Sequence, residues 1–448
     1  MTSDRYALTY RASEARQVMD WLKAGQSGCL IGLRGVGTSN FLAFLRRDDV
    51  RQHYLGQDYS DVAFILIDLL ALAKQTEAAV YHLLLDRLLS KLGPAGVDTA
   101  TVAEITHLQH QFPVQRLIER SLDILCNRPS QRVVLLFDEF DAIFQNLPSS
   151  LFRYLRALRD HRKDQLSYIV TVTNDLANLR DDLTEVEHFY RLVSRNVCGL
   201  EPYSEADARQ MIAYLASRRS LELKEQDITC LIELSGGHAG LLKSILSLLW
   251  NTPQRRLNEI SSSLNEEPTI QAECWKVWAG LPEQEQTALH FLLVGKKPNL
   301  PMLRQLKYKG VVRDDRSETR MFSPLFTDFV RRQAIPSAKE IIISRSPRQV
   351  QFGERHIDNL TELEFETLYY LYEHRERVCT KDELIEHVYG QQYDRLSGGV
   401  SDAALQTLMA RLRVKIEPKR GQPRYIITVR REGYKFVEPA AQMVDDRA

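Results

Sequence analysis

A glycine-rich turn between an apolar run and a helical stretch constrains the fold of this chain most strongly. Residues 28–32 are an apolar run, residues 32–39 read GLRGVGTS, and residues 40–46 continue as a helix. This order of strand, loop and helix directs consecutive backbone N–H groups inward and aims the positive end of a helix at the same point. The segment therefore predicts a phosphate cradle at the entry to an α/β nucleotide-binding fold.

The loop departs from the pattern G-x-x-x-x-G-K-[ST] at one position, because Thr38 stands where the lysine is expected. That lysine neutralises the β- and γ-phosphates, and its charge-assisted hydrogen bond contributes about 1.5–3 kcal/mol. We therefore expect nucleotide binding to survive and hydrolysis to be weak or absent, with Ser39 as a Mg²⁺ ligand. The expected cofactor-binding residues of the loop are Gly32, Arg34, Gly35, Val36, Gly37, Thr38, Ser39 and Asn40.

A second motif lies about a hundred residues further on, where the apolar run 133–137 ends in Asp138 and Glu139. At the carboxyl end of a buried strand, Asp138 can bind Mg²⁺ and Glu139 can orient an attacking water, so these are the candidate catalytic residues. A hydrophobic strand followed by two solvated acids is the simpler alternative. The spacing from the glycine-rich loop favours the nucleotide site.

Three further residues are weaker candidates for nucleotide contact. Asn174 ends the next apolar run, Arg195 follows a helical stretch that also contains Arg191, and His238 follows two glycines at the start of another helix. Each has an ordinary structural alternative, respectively a turn residue, a surface ion pair and a helix cap. Either arginine can contact phosphate within the chain or reach a neighbouring subunit.

The basic residues concentrate near the C-terminus, although the whole chain of 448 residues has 59 Lys plus Arg and 59 Asp plus Glu. Residues 405–436 contain nine Lys and Arg against two Glu, on a helix followed by a predicted hairpin. This is the layout of a winged helix, in which a helix enters the major groove and a hairpin reaches the adjacent backbone. The pattern predicts binding to double-stranded DNA, with a solvated basic face or a protein-binding module as the alternative.

The recognition helix is predicted to bury Leu405, Leu408, Met409, Leu412 and Ile416 at helical spacing. The opposite face then carries the candidate DNA contacts. These are Thr407, Arg411 and Arg413 for base edges or phosphates, Lys415 for phosphate, and Arg430 and Arg431 in the wing.

Composition excludes several other classes. The six cysteines are scattered without a CxxC pair or a neighbouring His cluster, which argues against a disulfide framework and a zinc site. No apolar run approaches the roughly 18 residues that a membrane crossing needs, and the first twenty residues do not resemble a signal peptide. We therefore expect a cytoplasmic protein with no membrane partner.

Residues 8–335 resemble the AAA+/STAND class of P-loop ATPases, because they contain in that order Arg11, the glycine-rich loop, Asp138, Glu139, Asn174, Arg195 and residues 236–238. Residues 360–365, 377–384 and 425–434 resemble an OmpR/PhoB-type DNA-binding domain. The implied fold is an α/β P-loop ATPase domain with a helical lid, followed by two winged helices, of which the second is OmpR/PhoB-type. Thr38, and Ala239 where the lid usually has proline, depart from the ATPase pattern.

The resemblances imply domain boundaries and a function. We expect an ATPase-like core at 1–200, a lid at 201–265, a structural winged helix at 270–335, the DNA-binding domain at 340–437 and a tail at 438–448. The leading hypothesis is a transcriptional regulator in which ATP or ADP, with Mg²⁺, controls DNA engagement, with or without assembly into a homo-oligomer. The alternatives are a constitutive DNA-binding protein with a nucleotide-free scaffold, and an initiator, mobile-element or defence ATPase acting on DNA.

Overall fold

The structure is a computed structural model of the full chain, and the description covers most of it. The described residues are 6–93, 112–127, 130–180, 183–219, 221–251, 263–315, 318–333, 341–345, 348–352, 355–375, 377–393, 402–417, 423, 425–429 and 432–437. The chain forms two compact units. The first comprises Met1–Leu281 and Gln305–Val330, and the second comprises Pro282–Arg304 and Arg331–Ala448.

The first unit is built on a parallel sheet. Within the described residues its strands are β1 (Gly28–Gly32), β2 (Val62–Asp68), β3 (Arg132–Asp138), β4 (Leu166–Val172) and β5 (Val197–Leu200). Their order is β2-β3-β4-β1-β5, and every pairing is parallel. Every residue of β1 and β4 is buried, as expected for strands that helices cover on both faces.

The helices of this unit alternate with the strands. They are α1 (Ala12–Lys23), α2 (Thr38–Leu45), α3 (Asp48–Leu55), α4 (Glu77–Leu92), α5 (Val114–Leu125), α6 (Asp141–Asn146), α7 (Ser149–His161) and α8 (Glu187–Ser194). Leucine and phenylalanine side chains of α4, α5 and α7 form one core with β3 and β4. The predicted α/β fold of the N-terminal region is confirmed.

Strand order reverses at β1, because β4 and β5 lie on either side of it while β2 and β3 continue beyond β4. In open α/β sheets the crevice at such a point, beyond the carboxyl ends of the strands, is where ligands bind. The glycine-rich loop follows β1, and the two carboxylates follow β3. The topology therefore brings the two motifs to the same edge of the sheet.

Helices dominate the chain after β5. They are α9 (Glu205–Ser217), α10 (Glu225–Ser235), α11 (Ala239–Asn251), α12 (Pro268–Gly280), α13 (Glu283–Leu293) and α14 (Leu300–Tyr308). A hairpin of β6 (Val312–Asp315) and β7 (Glu318–Met321) and then α15 (Pro324–Arg332) follow. The helix and hairpin order expected for residues 270–335 is present. Because the compact units divide this stretch at Leu281 and Arg304, a separate winged helix there is not confirmed.

The C-terminal part of the second unit is a winged helix. Its elements are β8 (Ile341–Arg345), β9 (Arg348–Phe352), β10 (Arg355–His356), α16 (Glu362–Glu373), β11 (Cys379–Thr380), α17 (Lys381–Tyr393), α18 (Asp402–Ile416), β12 (Ile426–Val429) and β13 (Gly433–Phe436). Sheets β10-β9-β8 and β11-β13-β12 flank the helices, and one hydrophobic core joins all three helices to both sheets. Among the described helices, none combines the length and hydrophobicity that a membrane crossing requires.

Candidate nucleotide-binding and DNA-binding sites

The glycine-rich loop forms the cradle that its sequence predicts. Gly35 and Gly37 have φ angles of 81° and 104°, in the left-handed region that favours glycine. Gly37 also precedes α2, and no side chain caps that helix, so its first N–H groups point into the loop. A cavity of about 270 Å³ opens there. It is lined by Gly32, Leu33, Arg34, Gly35, Gly37, Thr38, Ser39, Asn40, Glu139, Asp141, Thr171, Val172, Thr173 and Lys243.

Val36, one of the predicted nucleotide contacts of the loop, does not line the cavity. The side chain of Val36 is fully buried, and its carbonyl oxygen accepts a hydrogen bond of 3.3 Å from Nη2 of Arg11. Arg11 also donates to the carbonyl of Glu201 at 2.7 Å, at the end of β5. Val36 therefore holds the loop to the protein, while the other predicted loop residues line the cavity.

Thr171 on β4 positions the predicted carboxylates of the neighbouring strand. Its hydroxyl donates to Oδ1 of Asp138 at 2.8 Å and accepts from the backbone N–H of Glu139 at 3.0 Å. Glu139 has a φ of 58°, a strained conformation for a residue with a side chain, and this turns it into the cavity. Asp138 is 4% exposed and lies behind the cavity wall.

Asp141 is a third carboxylate at this edge, and the sequence reasoning did not single it out. It accepts hydrogen bonds from the backbone N–H and the hydroxyl of Thr173, each at 2.9 Å. Burial raises the pKa of Glu139, and the nearby charges of Asp138 and Asp141 raise it further. Burial likewise raises the pKa of Asp141, although the bonds from Thr173 oppose this. Both shifts mean that a cation placed here stabilises the ionised forms.

The residues of the cavity fit a Mg²⁺–nucleotide pair better than a free metal ion. Among the described residues, no group of three or more His, Cys, Asp or Glu could hold a metal ion. Mg²⁺ commonly takes one or two carboxylates, waters and substrate phosphates instead of a complete protein cage. Ser39, in the first turn of α2, and Glu139 face the same cavity and can supply oxygen ligands beside a bound phosphate.

His238 binds the loop itself in this structure. Its ring is fully buried, Nδ1 accepts from the N–H of Leu241 at 3.3 Å, and Nε2 lies 2.9 Å from the carbonyl oxygen of Arg34. The proton therefore resides on Nε2 and is donated to Arg34. Burial lowers the pKa of His238 to about 4, so the ring is neutral at neutral pH. This residue joins the start of α11 to the phosphate loop.

Asn174 lies just beyond β4, next to the cavity wall formed by Thr173. Its Nδ2 donates to the carbonyl of Gly280 at 3.0 Å, and its Oδ1 accepts from Nζ of Lys309 at 2.5 Å. Lys309 is only 1% exposed, and a buried ammonium group requires such partners. The sequence reasoning missed Lys309, because nothing in its neighbourhood marks it as buried.

Arg195 does not lie with the loop. It comes just before β5 begins, and it lines a second cavity with Arg156, Arg159 and Arg191. Because the strands are parallel, this position is at their amino ends, opposite the glycine-rich loop. The expectation that Arg195 contacts a nucleotide within the same chain is therefore corrected.

The recognition helix α18 has the buried stripe that its sequence predicts. Leu405, Met409, Leu412 and Ile416 are at most 1% exposed, and Leu408 is 8% exposed. On the other side, Thr407 and Arg411 are exposed one turn apart. The guanidinium of Arg411 makes no hydrogen bond or ion pair with any described residue, so it is available to a ligand.

Two of the residues predicted to contact DNA form hydrogen bonds within the domain. Arg413 donates from Nε and Nη2 to the carbonyl of Ile426, at 3.1 and 2.8 Å, and from Nη2 to the hydroxyl of Thr428 at 2.8 Å. Lys415 lies 2.6 Å from Oε2 of the buried Glu364 and 2.8 Å from the carbonyl of Asn359. In this structure these two cations hold the hairpin and α16 to α18, and their contacts with DNA stay a prediction.

The wing residues Arg430 and Arg431 lie outside the described residues. The strands on either side of them, β12 and β13, pair from Ile426 with Phe436 to Val429 with Gly433. Their predicted contacts stay a prediction.

Comparison with known protein families finds matches to two separate regions of the chain. The family described as Novel STAND NTPase 1 matches residues 68–297, half of the chain. The chain belongs to this STAND NTPase family. The match begins at the end of β2, so the glycine-rich loop precedes it. A second family, described as transcriptional regulatory protein, C terminal, matches residues 356–436 of this STAND NTPase.

Individual proteins resemble this STAND NTPase over parts of its length. An uncharacterized transcriptional regulatory protein, YclJ, from Bacillus subtilis (strain 168) is 31% identical over 96 residues, which cover 21% of this chain and 39% of that protein. This chain thus spans about two fifths of the length of that relative. The DNA-binding domain of Klebsiella pneumoniae RstA, solved with the RstA box, is 29% identical, with 21% of this chain and 89% of that chain covered and a TM-score of 0.19.

Two solved structures resemble a larger part of the chain. The Walker-type ATPase PABY2304 of Pyrococcus abyssi is 16% identical, covers 72% of this chain and 95% of its own, and gives a TM-score of 0.46. The Aeropyrum pernix ORC1 protein, solved in complex with DNA, is 14% identical, covers 71% and 91%, and gives a TM-score of 0.39. The family matches confirm the fusion that the sequence predicts. The chain thus joins an NTPase region to a region that matches the C-terminal domain of transcriptional regulatory proteins.

Proposed function

We propose that this protein is a nucleotide-responsive transcriptional regulator. ATP or ADP, with Mg²⁺, occupies the cavity at the glycine-rich loop, and the phosphate end of the nucleotide changes how the C-terminal winged helix engages duplex DNA. Membership of an NTPase family supports nucleotide binding, and the transcriptional regulatory domain supports DNA binding. The proposal is that nucleotide binding controls DNA binding.

The bonds of Asn174 are the observation that carries this proposal. Asn174 is adjacent to the cavity, and its amide is shared between Gly280 of α12 and Lys309 after α14. A γ-phosphate or its Mg²⁺ beside Thr173 would compete for that amide and for the charge of Lys309. A ligand can shift a conformational equilibrium only through such a difference in contacts between two states.

The path of the chain gives this change a route to the DNA-binding domain. Lys309 belongs to the stretch Gln305–Val330, which packs in the first unit, and the chain passes directly from Val330 into the second unit at Arg331. Gly280 is likewise one residue from the boundary at Leu281. The two partners of Asn174 are therefore both near points where the chain passes between units.

The proposed domain boundaries remain those expected from the sequence, with the core at 1–200, the lid at 201–265, the winged helices at 270–335 and 340–437, and the tail at 438–448. We further propose that the protein assembles into a homo-oligomer, for which the arginine-lined cavity around Arg195 is available. Sedimentation of the purified protein with and without nucleotide measures that assembly.

The test is the affinity for DNA in defined nucleotide states. A duplex enriched from a random pool by the protein itself serves as probe, and its Kd is measured by fluorescence anisotropy without nucleotide, with Mg-ADP and with a non-hydrolysable Mg-ATP analogue. A coupling of 1–3 kcal/mol corresponds to about a 5- to 150-fold difference between states. We expect at least the lower figure.

A matched pair of variants tests the route. Lys309→Met removes the buried partner of Asn174, whereas Lys307→Met removes a partly exposed lysine of α14 that pairs with Asp314 on β6. The first should reduce the nucleotide effect on DNA affinity, and the second should leave it intact. Equal DNA affinities in every nucleotide state, with nucleotide shown to be bound, would refute the proposal. No heat of binding with Mg-ADP or Mg-ATP would favour the nucleotide-free scaffold.

A further inference from the structure

The phosphate loop lacks its lysine, but other basic side chains line its cavity. Two basic side chains line it, Arg34 from the loop and Lys243 from α11. Thr38 has no charge with which to neutralise a β- or γ-phosphate. Among the residues that line the cavity, Arg34 and Lys243 are the ones with a positive charge to place beside a phosphate.

The position of Lys243 is set by direct bonds between α11 and the loop. The N–H of Gly240 donates to the carbonyl of Gly35 at 3.0 Å, and His238 donates to the carbonyl of Arg34. Residues three or four apart lie on the same face of a helix. Lys243 therefore follows Gly240 one turn later on the face that contacts the loop, which places it at the cavity wall.

Two glycines permit this close approach. A Cβ atom at Gly240 would come within 2.4 Å of Oε2 of Glu273 and 3.1 Å of Cε1 of His238. A Cβ atom at Gly35 would come within 2.9 Å of the same histidine carbon. The Glu273 carboxylate is the end of a flexible side chain and can move, whereas Gly35 also has a φ of 81°, so the contact between helix and loop depends on glycine most at position 35.

Arg34 has a different set of neighbours. Its charge lowers the pKa of Glu139 and of Asp141 against the effect of their burial, and its Cδ would lie 3.3 Å from a Cβ placed on Gly280. Arg34 thus faces the carboxylate side of the cavity and α12. Lys243 enters from the lid, on the side of the loop where His238 and Gly240 bind it.

We propose that Lys243 replaces the missing phosphate-loop lysine and binds the β- or γ-phosphate of the nucleotide from the lid helix. This inference rests on the proposed nucleotide binding and adds a binding residue to that site. The charge then comes from a helix that is hydrogen-bonded to the loop, and not from the loop itself.

The experiment measures nucleotide affinity of the full-length protein by displacement of a fluorescent ADP analogue in the presence of Mg²⁺. Lys243→Gln should weaken ADP by about ten- to a hundredfold, the usual range for a hydrogen bond between charged groups. AMP should bind the variant and the wild type alike, because AMP has no β-phosphate. Thr38→Lys in the Lys243→Gln background should restore ADP affinity to within a few-fold of wild type.

Lys276→Gln is the matched control, because Lys276 is an exposed lysine that pairs with Glu273 near the lid but does not line the cavity. Unchanged ADP affinity in Lys243→Gln overturns the inference, and so does an equal loss for ADP and AMP or an equal loss in the Lys276→Gln control. Absence of ADP binding by the wild type overturns the proposed nucleotide function itself. Far-ultraviolet circular dichroism of each variant establishes that it is folded.

Discussion

Replacing Lys415 with methionine should destabilise the C-terminal domain, because it leaves a buried carboxylate without its cation. Oε2 of Glu364 accepts from Lys415 at 2.6 Å and from the N–H of Thr361 at 2.8 Å, and Glu364 is 2% exposed. The Thr361 bond belongs to a capping box at the start of α16, so it persists in the variant. The ion pair therefore links α18 to the first turn of α16.

The size of the effect follows from the burial of the two groups. Removing one partner of a fully buried ion pair costs about 3–5 kcal/mol, and a hydrogen bond to a charged group contributes about 1.5–3 kcal/mol. Because the Lys415 side chain is 24% exposed and Glu364 keeps one bond, we expect a loss of about 2–3 kcal/mol. Burial acts to raise the pKa of Glu364, but the bonds from Lys415 and Thr361 outweigh it and the pKa is lowered.

The lowered pKa of Glu364 determines how the stability of the C-terminal domain depends on pH. The stabilisation is present above the pKa of an unfolded glutamate, about 4.3, and is lost as pH falls through the lower folded value. Hydrogen exchange of the α16 and α18 amides in the full-length protein near pH 7 measures the loss as a lower opening free energy. The double variant Glu364→Gln with Lys415→Met should recover most of it.

Arg411→Met is the matched control on the same helix, since its guanidinium is exposed and pairs with no described residue. It should leave the opening free energy within about 0.5 kcal/mol of wild type. The reasoning fails if Lys415→Met leaves exchange unchanged and instead flattens the salt dependence of DNA binding, because Lys415 would then contact phosphate.

Three other outcomes follow from the same contacts. Arg411→Ala should weaken binding to the selected duplex by about 1–3 kcal/mol with unchanged thermal stability, and unchanged anisotropy titrations would contradict a base or phosphate contact. Arg413→Ala should release the β12 strand, seen as faster hydrogen exchange of the β12 amides that pair with β13, and unchanged exchange of these amides would count against the brace. His238, with its pKa lowered to about 4, resists a proton that the unfolded chain accepts near 6.5, so stability falls as pH drops between these values. Between about pH 7.5 and 5, the free energy of unfolding measured in urea should fall by about 2 kcal/mol. His238→Gln should reduce this pH dependence. An equal pH dependence in the wild type and the variant would contradict the role of His238.

The sequence determined the backbone of both sites because their signals are local. Glycines at positions 35 and 37 permit the positive φ angles of the loop, and the short apolar run before Asp138, rich in β-branched residues, favours a buried strand. The apolar stripe of α18 likewise follows from the 3.6-residue period, which assigns each residue to a face. These features depend on neighbours within a few residues, so no tertiary knowledge was required.

Side-chain partners distant in sequence could not be predicted in the same way. The helical period places Arg413 and Lys415 away from the stripe, but it does not show that Ile426 and Glu364 lie within reach of their long side chains. Nothing in the sequence around Lys243 indicates that it lies beside the phosphate loop, because the hydrogen bonds between its helix and the loop join residues distant in sequence. Arg195 precedes β5, a strand that the sequence analysis did not predict, so its place at the amino edge of the sheet was not evident from the sequence.

The most direct test of the central claim uses thermodynamic reciprocity. If nucleotide changes DNA affinity through the protein, DNA must change nucleotide affinity by the same factor. Isothermal titration of Mg-ADP and of a non-hydrolysable Mg-ATP analogue into the full-length protein, alone and saturated with the selected duplex, measures this factor. We predict that saturation with DNA shifts the Kd of one nucleotide relative to the other by at least about fivefold. Identical Kd values with and without DNA, for both nucleotides, would contradict the account.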